Sequence, residues 1–167
     1  MVTLRPVTAD RVESYRAVRL RALAEAPLAF GSTFAVESRR TGDEWAARVA
    51  RFDGARATCL LAWPEGSAEP CGMAGGLIDE PDGARAELVS MWVDPAHRGA
   101  GFGRALVEAI TAWASARGAY ALRLMVTLAN AGAIRFYERL GFALTGLTEP
   151  YPNDLALVEL EMIRRLD

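Results

Sequence analysis

Residues Arg98 to Ile110 read RGAGFGRALVEAI, three glycines in close succession that run straight into an apolar-periodic segment. Glycine lets a backbone approach a ligand closely, and the free N–H groups at a helix N-terminus favour an anion through hydrogen bonds and the helix dipole together. A pyrophosphate suits such a turn. The two common nucleotide motifs do not: G-x-x-x-x-G-K-[ST] lacks its lysine here, and G-x-G-x-x-G counted from Gly99 and Gly101 lands on Arg104. On spacing alone, the glycines equally fit a tight strand-to-helix connection that holds nothing. One histidine, His97, excludes multi-histidine zinc sites and leaves a Ser/His/Asp triad a single base. It falls in a turn and reads as solvent-exposed rather than catalytic. Cys59 and Cys71 have no C-x-x-C spacing and read as reduced, buried or partly buried thiols, with no metal site implied.

The elements that must position this turn follow from periodicity. Val2 to Arg5 alternates as a short strand ended by Pro6, and Thr8 and Asp10 offer caps for a helix through about Glu25, closed by Pro27. The stretch APLAFGSTF reads as a structured loop or short helical turn. Thr41 to Arg51 reads as a second helix, with Thr41 and Glu44 in a capping-box relation. Ala57–Trp63 and Cys71–Ile78 form a hairpin signal around PEGSAEP. Pro81, Asp82 and Gly83 mark another turn before a third antiparallel strand, Glu87–Val93. After the glycines, Leu106, Ala109, Ile110 and Trp113 share one helical face, and Gly118 ends that helix. Leu122, Leu124 and Val126 alternate as a strand. Asn130 caps a further helix whose Ala133, Phe136, Tyr137 and Leu140 share a face, with Gly141 just past its end. Phe142–Thr145 and Leu155–Met162 form a last strand pair joined by the loop GLTEPYPND.

The chain of 167 residues suits one α/β domain, residues 1–167, able to bury its own core without staples. Its formal charge of −2 gives no basic footprint for nucleic acid, although arginines far outnumber lysines. No run of about 18 apolar residues and no leader pattern is present, so a soluble, cytoplasmic protein with no membrane partner is expected.

The segment SMWVDPAHRGAGFGRALVEAI resembles motif A of the GNAT superfamily of acyl-CoA-dependent N-acetyltransferases, with Arg98, Gly101 and Gly103 at its [QR]-x-x-G-x-[GA] positions. NAGAIRFYERLGF resembles motif B, with Asn130, Tyr137, Gly141 and Phe142 in place. The resemblance covers essentially the whole chain. It implies a GNAT-like α/β fold, a central mixed, mostly antiparallel sheet of about seven strands flanked by about four helices. It also implies acetyl-CoA as donor co-substrate and an amine acceptor. Backbone groups of Met91, Trp92 and Val93 would meet the acetyl and pantetheine end. Amides of Gly99, Ala100, Gly101, Phe102, Gly103 and Arg104 would cradle the pyrophosphate, with Arg98 and Arg104 contributing charge or standing solvated. Asn130, Ala133 and Phe136 would border the pantetheine arm.

Amine attack on a thioester needs a neutral amine, and a free alkyl ammonium has a pKa near ~10.4, so a base or a water relay is required. Negative charge building on the carbonyl oxygen needs donors, which a bulge in the Glu87–Val93 strand would expose. The motif match makes Tyr137 the acid for the departing thiolate, whereas its helical face alone suits core packing. Some family members that modify protein N-termini carry a glutamate where this sequence has Met125, which departs from that branch. Glu87 is the remaining carboxylate for the base, working through water, and Ser90 a possible contact to water or acceptor. For the acceptor, Phe30 and Phe34 offer apolar surface, Ser32 and Thr33 hydrogen bonds, and Glu149 with Tyr151 attraction for a cationic amine. A small amine, an amino-acid-like molecule, an aminoglycoside-type drug and a peptide N-terminus all fit, with a homodimer possible. A non-catalytic acyl-CoA-binding sensor is the competing expectation.

Overall fold

The computed structural model of the protein describes residues 1–78 and 84–166. The turn expected at Pro81, Asp82 and Gly83 lies outside the described residues. Seven strands form one sheet in the order β1-β2-β3-β4-β5-β7-β6. They are β1 (Val2–Pro6), β2 (Ala57–Pro64), β3 (Gly72–Ile78), β4 (Arg85–Val93), β5 (Ala121–Thr127), β6 (Ala143–Tyr151) and β7 (Asp154–Arg165). Every neighbouring pair is antiparallel except β4 and β5. The helices are α1 (Val12–Glu25), α2 (Phe34–Glu37), α3 (Gly42–Ala50), α4 (Phe102–Ser115) and α5 (Ala131–Glu138). The expected mixed, mostly antiparallel seven-stranded sheet is thus present, and the helix expected over Thr41–Arg51 forms with both halves of its Thr41/Glu44 capping box.

Strand alternation divides the core between the two faces of the sheet. On one face, Cys59, Leu61 and Trp63 of β2 and Met73 of β3 pack with Tyr15, Val18 and Leu23 of α1 and Trp45 of α3. On the other, Leu106, Ile110 and Ala114 of α4 pack with Leu122 and Leu124 of β5, Leu140 and Met162. The α4 packing is close: a Cβ at Gly76 would stand 2.8 Å from the Trp113 ring. Both cysteines are free and buried, as expected, and burial pushes the Cys59 thiol up to about 12.

The short helical turn expected in APLAFGSTF is present, and one other expectation is corrected. APLAFGSTF contains a 3-10 turn at Pro27–Ala29 and then runs into α2, with Thr33 accepting from the Val36 amide as N-cap. The segment Gly146–Asp154, expected as a loop, is mostly strand: β6 continues to Tyr151 and pairs Thr148, Glu149 and Pro150 with Leu160, Glu159 and Val158. Gly146 and Pro150 argue against a strand interior, but β6 is the sheet edge, where a residue lacking an N–H is tolerated. Gly146 has φ 89°, inside an irregularity between Leu144 and Thr148 across which the pairing register shifts.

Candidate active site

The sheet opens where β4 leaves β5. They pair in parallel only from Arg85↔Ala121 to Glu87↔Arg123. Beyond, they bound a cavity of about 350 Å³ lined by Glu87 to Met91 of β4, Arg123 to Thr127 of β5, Asn130, Ala133 and Tyr137. Arg19, Phe30, Glu149 and Glu159 line it from the α1 loop and the β6–β7 hairpin.

β4 is bulged at this opening. Between the pairs Met73↔Trp92 and Gly75↔Val89, the single residue Ala74 faces both Ser90 and Met91. Ser90 is at φ 54°, the one non-glycine in the left-handed region among the described residues. That conformation costs a residue with a Cβ about 1–2 kcal/mol. A bulge removes ladder partners from the strand and turns backbone donors and acceptors toward the open side, here the cavity.

The glycine turn follows β4 directly. Asp94 accepts from the Ala96 amide to start a 3-10 turn over Pro95–His97. His97 is partly covered and sits edge-on to Phe102, 5.8 Å between ring centroids. Gly101, at φ 90°, is the N-cap of α4, and the first bond of the helix runs from the Ala105 amide to the Gly101 carbonyl. The amides of Phe102, Gly103 and Arg104 therefore point out of the helix start without intrahelical acceptors. Space at Gly103 is tight: a Cβ there would stand 3.1 Å from Phe136 Cζ, so the ring would have to shift. This cradle of outward amides beside small residues fits a pyrophosphate.

The side chains around the cradle divide. Arg104 is exposed on the first turn of α4. Arg98 is a strut: its Nε donates to the Val93 carbonyl at 2.9 Å and its Nη2 to Glu25 at 2.7 Å. Glu25 also accepts from Trp92 Nε1 at 2.9 Å. Burial pushes the Glu25 carboxyl up, yet the Trp92 and Arg98 hydrogen bonds hold it below its ordinary value. Trp92, Val93 and Phe102 are buried and are not in the cavity lining, whereas Met91 lines it. Asn130 caps α5 by accepting from the Ala133 amide at 3.1 Å.

Tyr137 lines the cavity and is 8% exposed, with Phe136 and Phe142 edge-on to its ring. Burial pushes its phenol well above the ordinary value, so it keeps its proton throughout the neutral range. Glu87 lies against Arg123 at 3.2 Å, and the same guanidinium donates to Glu161 at 3.2 Å.

Of the residues expected on the acceptor side, Phe30 and Glu149 line the cavity, and Ser32, Thr33 and Tyr151 are not in its lining. Ser32 lies toward Glu37 and helps hold that carboxyl below its ordinary value. Tyr151 is buried, its hydroxyl 2.5 Å from the Phe30 carbonyl and 3.0 Å from that of Pro27, and Asn153 Nδ2 donates to the Phe30 carbonyl at 3.0 Å. Phe34 is half-exposed on α2.

Three residues escaped the sequence reading. Glu159 lines the cavity directly across the strand pair from Glu149. Its carboxyl is pushed up by burial first and then by the charges of Glu149 and Glu87. Its signal was an acidic residue alternating with apolar ones in LALVELEM. Arg19 and Glu37 form a buried pair, with Arg19 Nη2 and Nε donating to the two carboxylate oxygens at 2.8 and 3.0 Å. The signal there was an arginine at the apolar spacing of Tyr15, Val18, Ala22 and Leu23.

The chain is 34% identical over 132 residues to a mycothiol acetyltransferase of Thermobispora bispora, covering 78% of this chain and 42% of that protein. It is 46% identical over 63 residues to a streptothricin acetyltransferase of Streptomyces lavendulae, covering 38% of this chain and 33% of that protein. The chain thus spans less than half the length of these relatives. Its fold matches the structure of a putative acetyltransferase from Salmonella typhimurium with its cofactor acetyl-CoA, at a TM-score of 0.78 and 21% identity over 100% of this chain and 95% of that one. Residues 21–142, which hold the bulged strand, the glycine turn and Tyr137, match the model of the acetyltransferase (GNAT) family, and the chain belongs to that family.

Proposed function

We propose that the protein is an acetyl-CoA-dependent N-acetyltransferase acting on a cationic primary amine of a small molecule or peptide, by direct attack of the amine on the thioester. The observation that carries this is one cavity lined by both the β4 bulge and a protonated Tyr137, with the glycine turn and the outward amides of α4 following β4 directly. Acetyl-CoA supplies an activated acyl group with a thiolate as leaving group. The amides of Gly99 to Arg104 hold the pyrophosphate, and those of the bulge offer hydrogen bonds where charge builds on the carbonyl oxygen. Asn130, Ala133 and Phe136 border the arm between them. Tyr137 lends its proton to the departing sulfur.

For the base, the carboxylates facing the cavity are Glu87, Glu149 and Glu159. Glu87 is engaged by Arg123, whereas Glu159, pushed up by burial and by its acidic neighbours, holds a proton more strongly than an ordinary glutamate. Glu159, directly or through water, is the better acceptor of the ammonium proton, and Glu149 beside it attracts the cation. The two relatives named as a mycothiol acetyltransferase and a streptothricin acetyltransferase support keeping small molecules among the acceptors.

The test is thiol release from acetyl-CoA against a panel of diamines, aminoglycoside-like amines, amino-acid amides and peptides. Amine-dependent thiol release with cationic acceptors favoured is expected. Tight acetyl-CoA binding without amine-dependent release would overturn the enzyme in favour of an acyl-CoA sensor.

A further inference from the structure

The Arg19–Glu37 pair is buried to an unusual degree: the side chains are 4% and 0% exposed. Taking two charges out of water rarely stabilises a fold more than apolar residues of the same volume would, so such a pair calls for a reason beyond stability. Its geometry supplies one. With Nε and Nη2 committed to Glu37, Arg19 donates its remaining Nη1 to Ser90 Oγ at 2.8 Å. Ser90 is the bulge residue held at φ 54°. The pair is itself fixed on all sides. Arg48 of α3 approaches Glu37 at 3.4 Å while donating its Nε to Tyr15 Oη at 2.9 Å, and the Arg19 guanidinium lies 4.8 Å over the Phe30 ring. Burial pushes the Glu37 carboxyl up, but the hydrogen bonds and charge of Arg19, the Arg48 charge and the Ser32 hydroxyl together hold it below its ordinary value, so the anchor stays ionised.

We propose that Arg19, oriented by Glu37, is the positioning residue of the β4 bulge: its hydrogen bond to Ser90 keeps that residue left-handed and so aims the bulge's backbone donors into the cavity. This rests on the proposed acetyl transfer only for its kinetic consequence; the backbone consequence stands alone. A flexible lysine could not replace the arginine, because one planar fork must serve Glu37 and Ser90 together. Since Phe30 packs on the same guanidinium, the loop on the acceptor side and the bulge on the donor side are joined through one side chain.

The test uses glycine, which adopts a positive φ without being held. The backbone chemical shifts and HN–Hα coupling of residue 90 are read by NMR in the ligand-free protein, and turnover is read with the best amine of the panel. In Arg19→Gln, residue 90 is expected to leave the left-handed region. Turnover should fall by about tenfold or more, the effect of losing a hydrogen bond to a charged group, while acetyl-CoA affinity stays within about threefold. Adding Ser90→Gly should restore turnover to that of Ser90→Gly alone. A residue 90 that stays left-handed in Arg19→Gln, or a failure of Ser90→Gly to rescue, would overturn the proposal. Should Arg19→Gln not fold, Ser90→Ala and Ser90→Gly decide: the alanine variant must lose turnover and the left-handed shifts, the glycine variant neither, and equal behaviour overturns it. If the shifts move as expected but the wild type transfers no acetyl group, the proposed function fails and the positioning role stands.

Discussion

The two sides of the cavity are made of different material. The proposed donor side is main chain, the bulge of β4 with the turn and the first residues of α4 that follow it, all within a single short segment. The acceptor side is side chain, assembled from contacts as distant in sequence as Tyr151 to Phe30 and Asn153 to Phe30. A backbone site tolerates many side chains and binds one invariant ligand, whereas a site made of Arg19, Glu149 and Glu159 changes with each substitution. On the proposed reading, acceptor specificity is set in the α1–α2 loop and the β6–β7 hairpin, apart from the glycine turn.

The contrast breaks first where the two sides meet. Tyr137→Phe keeps the ring packed against Phe136 and Phe142 and removes the proton, so turnover should fall by about 10²–10⁴-fold with little change in acetyl-CoA affinity, measured by steady-state kinetics and calorimetry. An equal loss in affinity would make Tyr137 a packing residue. On the donor side, Gly101→Val puts a β-branched residue at φ 90° and should weaken acetyl-CoA binding roughly 10–100-fold, the effect of about 1–3 kcal/mol of backbone strain, with amine selectivity unchanged. A changed order of preferred amines would erase the division between the sides. The smallest effect should be electrostatic. The raised Glu159 carboxyl is protonated, and inactive as a base, below its pKa, so the acid limb of kcat/KM lies above the ordinary glutamate range. Burial is the first cause of that shift and Glu149 the second, so Glu149→Gln should move the limb to lower pH by less than about one unit. A limb that stays in place would remove Glu159 as the base.

The same division explains what the sequence disclosed. The Thr41 and Asn130 caps, the glycine turn and the Tyr137 face were legible because each is settled by neighbours a few residues away. Thr8 and Asp10, by contrast, do not cap α1, because a 3-10 turn intervenes before it. The extension of β6 through Gly146 and Pro150 was not, because only the edge position of that strand makes a proline acceptable. Ser90 carries no mark of its φ, since serine is common in strands, and its conformation follows from β3 opposite and Arg19 beneath. The acceptor-side residues were only half legible. Phe30 and Glu149 face the cavity, but Tyr151 spends its hydroxyl on the loop backbone, a partner some 120 residues away that no local pattern announces.

The three residue pairs between β4 and β5 are the only ladder joining β1–β4 to β5–β7 among the described residues, against seven pairs between β5 and β7. Across so narrow a ladder the two units of the sheet are held together chiefly by the α4 core packed against both. Any molecule seated in the gap touches both units and acts as a splint. A ligand there adds contacts at the place where the ladder itself is narrowest.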